Sequence, residues 1–177
     1  PSYYLRNSDE VLPLWTGGLA SHGAAIGIII AMYYQAKKAP KMTFWWLADR
    51  VVIPTAVGGA FIRTGNFFNS EIYGHETDAP WGIIFSNLPG QAGLVPRHPT
   101  MLYEAILCII VFAVLWTIYK KYKAHPPEGS LFGSFLILLF TGRFFLEYTK
   151  IPQADFAAAW PVNMGQLLSI PMVLIGM

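Results

Sequence analysis

Charged residues make up only 12% of this 177-residue sequence, whereas a water-soluble domain carries about a quarter. That shortage excludes an ordinary soluble fold. The hydrophobic residues, 54% of the total, gather in runs approaching the roughly 20 residues that cross a bilayer. Cysteine is equally scarce. Cys108 is the only one, which excludes an internal disulfide and a cysteine-based zinc cluster. Its place within Ile106–Val114 reads as that of a small, membrane-facing apolar residue. The four aspartates are dispersed, so the clustered acids of a metal-dependent headgroup transferase are missing, and no metal or other cofactor is expected. The twelve basic residues are scattered among apolar segments, which argues against a nucleic-acid surface. The sequence shows neither an initiating Met nor a basic, cleavable leader, and the last apolar run reaches Met177 without a charged flank. A piece of a longer polytopic chain is expected.

What is present is a set of apolar segments with polar punctuation. Five spans are expected, Leu12–Tyr34, Thr43–Ile62, Thr100–Tyr119, Ser130–Tyr148 and Val162–Met177. They predict an all-α, polytopic transmembrane helix bundle forming a single membrane domain over residues 1–177. Six of the seven lysines fall in two connections, Gln35–Lys41 and Lys120–Glu128. Short lysine-rich loops stay cytoplasmic, so residues 63–99 and the Lys150–Pro161 turn are expected on the outer side. Trp45, Trp46, Trp81 and Trp160 lie near span ends or in outer loops, as interfacial aromatics do. The 63–99 segment is long for a helix connection and predicts an irregular extracytoplasmic region of its own. No internal repeat is evident, so an inverted-repeat transporter gains no support.

Ionisable side chains inside a span are costly, by roughly 2.5 to 3.5 kcal/mol on insertion scales, and usually face a cavity or a partner. His22, flanked by Gly17, Gly18 and Gly23, is either a buried imidazole satisfied by a backbone carbonyl or a group titrating near neutrality for a function. Asp49 and Arg50 are adjacent, and at about 100° per residue they point apart, so pairing with other elements is expected. Arg143 and Glu147 are four residues apart on one helical face, within ion-pair reach, and suggest a polar cavity at membrane depth. Arg63, Asn66, Asn69 and Glu71 bring a cation, amides and a carboxylate together between Gly65 and Gly74. Such a cluster can hold a phosphate headgroup by charge-assisted hydrogen bonds. Arg97 to Glu104 opens the third span with another cation and carboxylate.

The stretch Arg63-x-Gly-Asn-Phe-x-Asn-x-Glu-x-x-Gly74 resembles the signature of the prolipoprotein diacylglyceryl transferase family. Ser21-His-Gly23, Arg97-His-Pro with Leu102-Tyr-Glu-Ala105, Gly142-Arg-Phe-x-x-Glu147 and Met164-Gly-Gln-x-Leu-Ser-Ile-Pro171 follow in the family's order. The chain departs from the family at Ala24, Ile62, Met101 and Leu139. Lys150 replaces a frequent Arg, keeping the charge and losing the bidentate fork.

The resemblance implies a multi-pass transferase of the bacterial cytoplasmic (inner) membrane, with its active site towards the extracytoplasmic side. It would move the diacylglyceryl group of phosphatidylglycerol to the lipobox cysteine of prolipoproteins, the first step of lipoprotein maturation, with membrane lipids as its other partners. His22, Arg63 and Arg143 would be catalytic, His22 as the base. Asn66, Asn69, Glu71, Gly74, Glu147, Arg97 and Tyr103 would bind substrate, with Glu147 and Glu71 orienting the arginines. Lys150 is expected about a turn further out, near the surface. The alternative is a carrier or channel using the same buried charges as an anion path.

Overall fold

The computed structural model describes residues 21–39, 41–86, 88, 90–151 and 163–177. They fall into two units, 1–44 and 45–177. The first carries α1 (Ser21–Lys38), whose residues Gly23 to Ala31 are all exposed although mostly apolar. Its last turn holds Lys37 and Lys38, where cations complement the helix dipole. Each ammonium lies over the ring of a tyrosine four residues earlier, Tyr33 at 4.7 Å and Tyr34 at 4.6 Å. Leu12 to Ala20, Trp160 and most of the Lys150–Pro161 turn lie outside the described residues.

The second unit carries α2 (Phe44–Phe68), α3 (Thr100–Lys121), α4 (Ser130–Leu146) and α5 (Met164–Gly176), with 3-10 turns at Gly90–Gly93 and Glu147–Thr149. Helices α3 and α4 begin where the sequence changes from polar to apolar. Helix α2 runs beyond the expected Ile62, so Arg63 and Asn66 belong to its last turns rather than to a loop. Val52 and Ala56 of α2, Val111 and Leu115 of α3, and Leu131, Phe135 and Leu136 of α4 form the core.

The outward faces invert the pattern of a water-soluble helix. Along α3, Met101, Glu104, Cys108, Val111 and Leu115 are buried at helical spacing, while Ile106, Ile109 and Ile110 on the outside are 55%, 57% and 54% exposed. Cys108 therefore does not face the membrane as its apolar run suggested. It lies on the inner stripe, and a Cβ added to Gly59 of α2 would come 3.1 Å from its Sγ. Among the described residues, Thr100–Lys121 and Ser130–Thr149 are long and apolar enough to cross a membrane. Hydroxyls on α2, α3 and α5 fold back onto carbonyls one turn earlier, Thr64 to Ala60, Thr117 to Ala113 and Ser169 to Gly165. That satisfies them without water.

Helices α4 and α5 meet backbone to backbone, since a Cβ on Gly133 would lie 2.7 Å from the carbonyl oxygen of Gly176. At the same end of α4, buried Asp49 accepts the Gly129 amide at Oδ2 and the Phe132 amide at Oδ1, both at 2.8 Å. It thereby caps a helix whose own N-cap residue is a glycine. Arg50 donates to the carbonyls of Trp46 and Ala124, and its guanidinium stacks 3.5 Å above the Trp46 ring. As their diverging directions implied, the two residues serve different elements.

The 69–99 region is irregular. Isolated antiparallel bridges pair Gly74 with Lys150, and Arg97 with both Glu76 and Ile83. Phe85 is buried there between the rings of Phe67 and Tyr73.

Candidate active site

Glu104, one turn into α3, is the centre of the polar end of the second unit. It is 3% exposed, and a carboxylate so buried requires compensating cations. Three converge on it. Arg63 of α2 places Nε 2.8 Å from Oε2, Lys150 places Nζ 2.8 Å from Oε1, and Arg143 of α4 places Nε 3.8 Å from Oε1. Lys150 also lies 3.3 Å from Oε2 of Glu147. Three cations thus face two carboxylates, leaving one positive charge in excess.

Both arginines approach the carboxylate with Nε nearest, Arg63 in close ion-pair contact and Arg143 at the outer limit of one. Among the described residues their terminal Nη groups bond no acceptor, and the side chains keep 21% and 36% exposure. Arg63, Arg143 and Glu104 line a cavity of about 130 Å³ whose other walls are Thr55, Ala56, Gly59, Leu107, Cys108, Phe135 and Leu139. An apolar cavity with two directed guanidiniums is suited to an anion carried by an apolar molecule.

Two expectations about charge pairing need correction. Glu147 does not pair with Arg143, because α4 ends at Leu146 and the chain tightens into a 3-10 turn. In that geometry the i,i+3 neighbour is aligned, and Glu147 meets Lys150 instead. Glu71 does not orient an arginine; it accepts the Asn66 amide at 2.9 Å. Orientation comes from Glu104. Lys150 is likewise not a screened surface residue, being 7% exposed, because the Gly74 bridge folds the chain back over it.

The rest of the 63–74 segment is tightly wound. Ser70 and Ile72 adopt left-handed backbone, φ 57° and 58°, which is strained for a β-branched residue. The Glu71 amide bonds the Asn66 carbonyl, and Thr100 Oγ1 bonds the Ile72 carbonyl at 2.6 Å. Gly74 has a packing reason, since a Cβ there would meet the Thr149 carbonyl oxygen and the side chains of Thr100 and His98. Asn66 Oδ1 is buried without a bonded donor among the described residues, and Asn69 is exposed.

Arg97 pairs with Glu76 at 2.9 Å and lies over the Tyr73 ring. The Tyr103 hydroxyl accepts the Trp81 indole at 2.8 Å and lies 3.1 Å from Nδ1 of His98. Neither Arg97 nor Tyr103 lines the arginine cavity. The His22 side chain lies outside what the structure describes. Among the described residues, no group of three or more His, Cys, Asp or Glu converges as a metal site would.

The sequence pattern of the prolipoprotein diacylglyceryl transferase family matches residues 2–177. The chain belongs to that family. This diacylglyceryl transferase family member is similar to the phosphatidylglycerol–prolipoprotein diacylglyceryl transferase of Tolumonas auensis, 46% identical over 99% of this chain and 66% of the relative. It is likewise similar to those of Chloroherpeton thalassium, 42% identical over 99% of this chain and 64% of the relative, and Porphyromonas gingivalis, 41% identical over 99% and 66%. The chain therefore spans slightly under two thirds of the length of these relatives. Glu104, the member of the cluster that motif reasoning passed over as a site residue, belongs to the Leu102-Tyr-Glu-Ala105 motif of the same family resemblance. Its position on the buried stripe of α3 is the signal that could have found it.

Proposed function

We propose that this chain forms the catalytic membrane portion of a phosphatidylglycerol–prolipoprotein diacylglyceryl transferase. The observation that carries the proposal is the pair of arginines converging through Nε on one buried carboxylate, with no acceptor on their Nη groups among the described residues and one positive charge in excess. The thiolate of a prolipoprotein lipobox cysteine attacks the glyceryl carbon bonded to the phosphate ester oxygen. A carbon–sulfur bond forms and the carbon–oxygen bond breaks, its electron pair leaving on glycerol phosphate. Charge develops on the departing oxygen, where preoriented guanidiniums stabilise it most. Arg63 and Arg143 take that role, and Asn66 and Asn69 hold the headgroup. His22 takes the thiol proton, since a base raises the fraction of thiolate from a group with pKa near 8.5.

The apolar exterior of the helices supports a multi-pass bundle in the bacterial inner membrane, with the lysine-rich connections inside and the arginine cavity towards the outer side. A Cys introduced at Lys121 that reacts with an impermeant reagent added outside intact cells would reverse this orientation.

The deciding experiment incubates the full chain with phosphatidylglycerol vesicles and a lipobox peptide, followed by mass spectrometry. A diacylglyceryl thioether on the peptide, absent with Arg143→Ala, is the expected result. Peptide left unmodified by well-folded protein would refute the proposal.

A further inference from the structure

Lys150 differs from the two arginines in what it touches. It does not line the cavity. Its ammonium bridges Glu104 and Glu147, and its backbone is held from two directions, by the Gly74 bridge and by its own amide bonding the Glu147 carbonyl. The neighbouring His75 amide bonds the Thr149 carbonyl at 3.0 Å. No side chain fits at Gly74 against that same carbonyl. The end of the 63–74 segment and the cation are therefore one locked unit.

We propose that Lys150 is a positioning residue for anion capture, holding Glu104 so that Arg63 and Arg143 keep their Nη groups for phosphate. This rests on the phosphatidylglycerol reading above. Oε1 of Glu104 is shared unequally, with Lys150 at 2.8 Å and Arg143 at 3.8 Å. Without the ammonium, Glu104 becomes an under-compensated buried carboxylate. The nearest remedy is Arg143, which closes the gap and turns its fork onto Glu104 in a bidentate pair. That removes from the cavity the donors that meet the ligand. An arginine at position 150 can still span both carboxylates, so it conserves the arrangement.

The test compares Lys150→Met and Lys150→Arg in the full chain, titrating phosphatidylglycerol and lipobox peptide separately. For Lys150→Met the KM for phosphatidylglycerol rises by about tenfold or more, a tenfold step corresponding to one decade of affinity, while the KM for peptide stays within about twofold. Lys150→Arg restores both to within about threefold of wild type. A merely structural role would lower the active fraction and leave both KM values unchanged; that result from folded Lys150→Met protein overturns the proposal.

A second measurement needs no turnover. Phenylglyoxal modification of Arg143, followed by peptide mass spectrometry, slows in Lys150→Met because its guanidinium is drawn onto Glu104. Equal modification rates overturn the proposal, whether or not the wild-type chain transfers lipid. Absence of transfer by wild type, by contrast, sinks the functional reading alone. If Lys150→Met fails to fold, Lys150→Gln keeps a polar side chain beside the carboxylates while removing the charge, and slows Arg143 modification in the same direction by a smaller factor; no change overturns the proposal.

Discussion

Helix α2 buries charge near both of its ends, about 21 Å apart at 1.5 Å per residue, and the two solutions differ in kind. At one end Asp49 is satisfied by two backbone amides, and Arg50 by two carbonyls and an indole face. Asp49's partners are fixed dipoles that no ligand could displace without unfolding the start of α4. At the other end Arg63, Arg143 and Lys150 meet carboxylates and, among the described residues, the arginines keep donors left over. Charges answered by backbone hold a fold together, whereas charges answered sparingly by other side chains leave room for a substrate.

The contrast is sharpest at Arg143. Arg143→Lys preserves charge but cannot contact Glu104 and a phosphate together, and should lower turnover by about 10² to 10³. The melting temperature should barely move. Purified protein assayed at saturating phosphatidylglycerol decides, and retention of more than about a third of the wild-type rate, far short of that loss, would show that charge alone suffices. Gly165→Ala probes the same end indirectly. Its Cβ would fall 2.5 to 2.7 Å from the Glu147 carboxyl atoms, and the flexible carboxylate can swing away from Lys150 while the helices stay in place. A rate loss of about 10- to 100-fold is expected, as for misplacements on the order of 1 Å; normal turnover would show Glu147 to be dispensable.

Asp49→Asn should do the reverse. One of the two α4 amides loses its acceptor, which costs about 1 to 3 kcal/mol of stability and is readable by thermal melting in detergent. Activity per folded molecule stays within about threefold, under 0.7 kcal/mol of barrier. A selective loss of turnover there would erase the distinction between the two ends. The smallest effect is expected from Cys108→Ala, although its thiol borders the arginine cavity. In the proposed reaction the attacking thiol belongs to the substrate, so the rate should again change by less than about threefold, and an inactive yet folded variant would contradict that chemistry.

The starts of α2, α3 and α4 and the 63–74 motif were legible in the sequence because each is local. The starts of α3 and α4 follow from a polar-to-apolar change, and Arg63 and Arg143 stood out as ions in apolar surroundings. Convergence was not legible. Glu104 reaches cations on α2, on α4 and beyond it, and sequence separation does not say which helix faces which. Lys150 looked solvent-exposed because extrapolating α4 as a straight helix carries it outward, whereas the chain tightens at Glu147 and returns beneath Gly74. Cys108 looked lipid-facing because its neighbours are apolar on every side. The helical spacing of Met101, Glu104, Cys108, Val111 and Leu115 marks the inner stripe, with Glu104 as the one charged residue along it.

The left-handed residues Ser70 and Ile72 make the 69–74 loop a wound spring latched by the Thr100 hydroxyl. Each such residue stores about 1 to 3 kcal/mol, so the loop is a place where the usual recipe for a hardier protein works against its purpose. Ser70→Gly relieves the torsion and should raise the melting temperature, yet it also grants Asn66 and Glu71 the freedom to drift. Thermal tolerance and turnover would then move in opposite directions in one variant, and a gain in both would mean that the tension is idle.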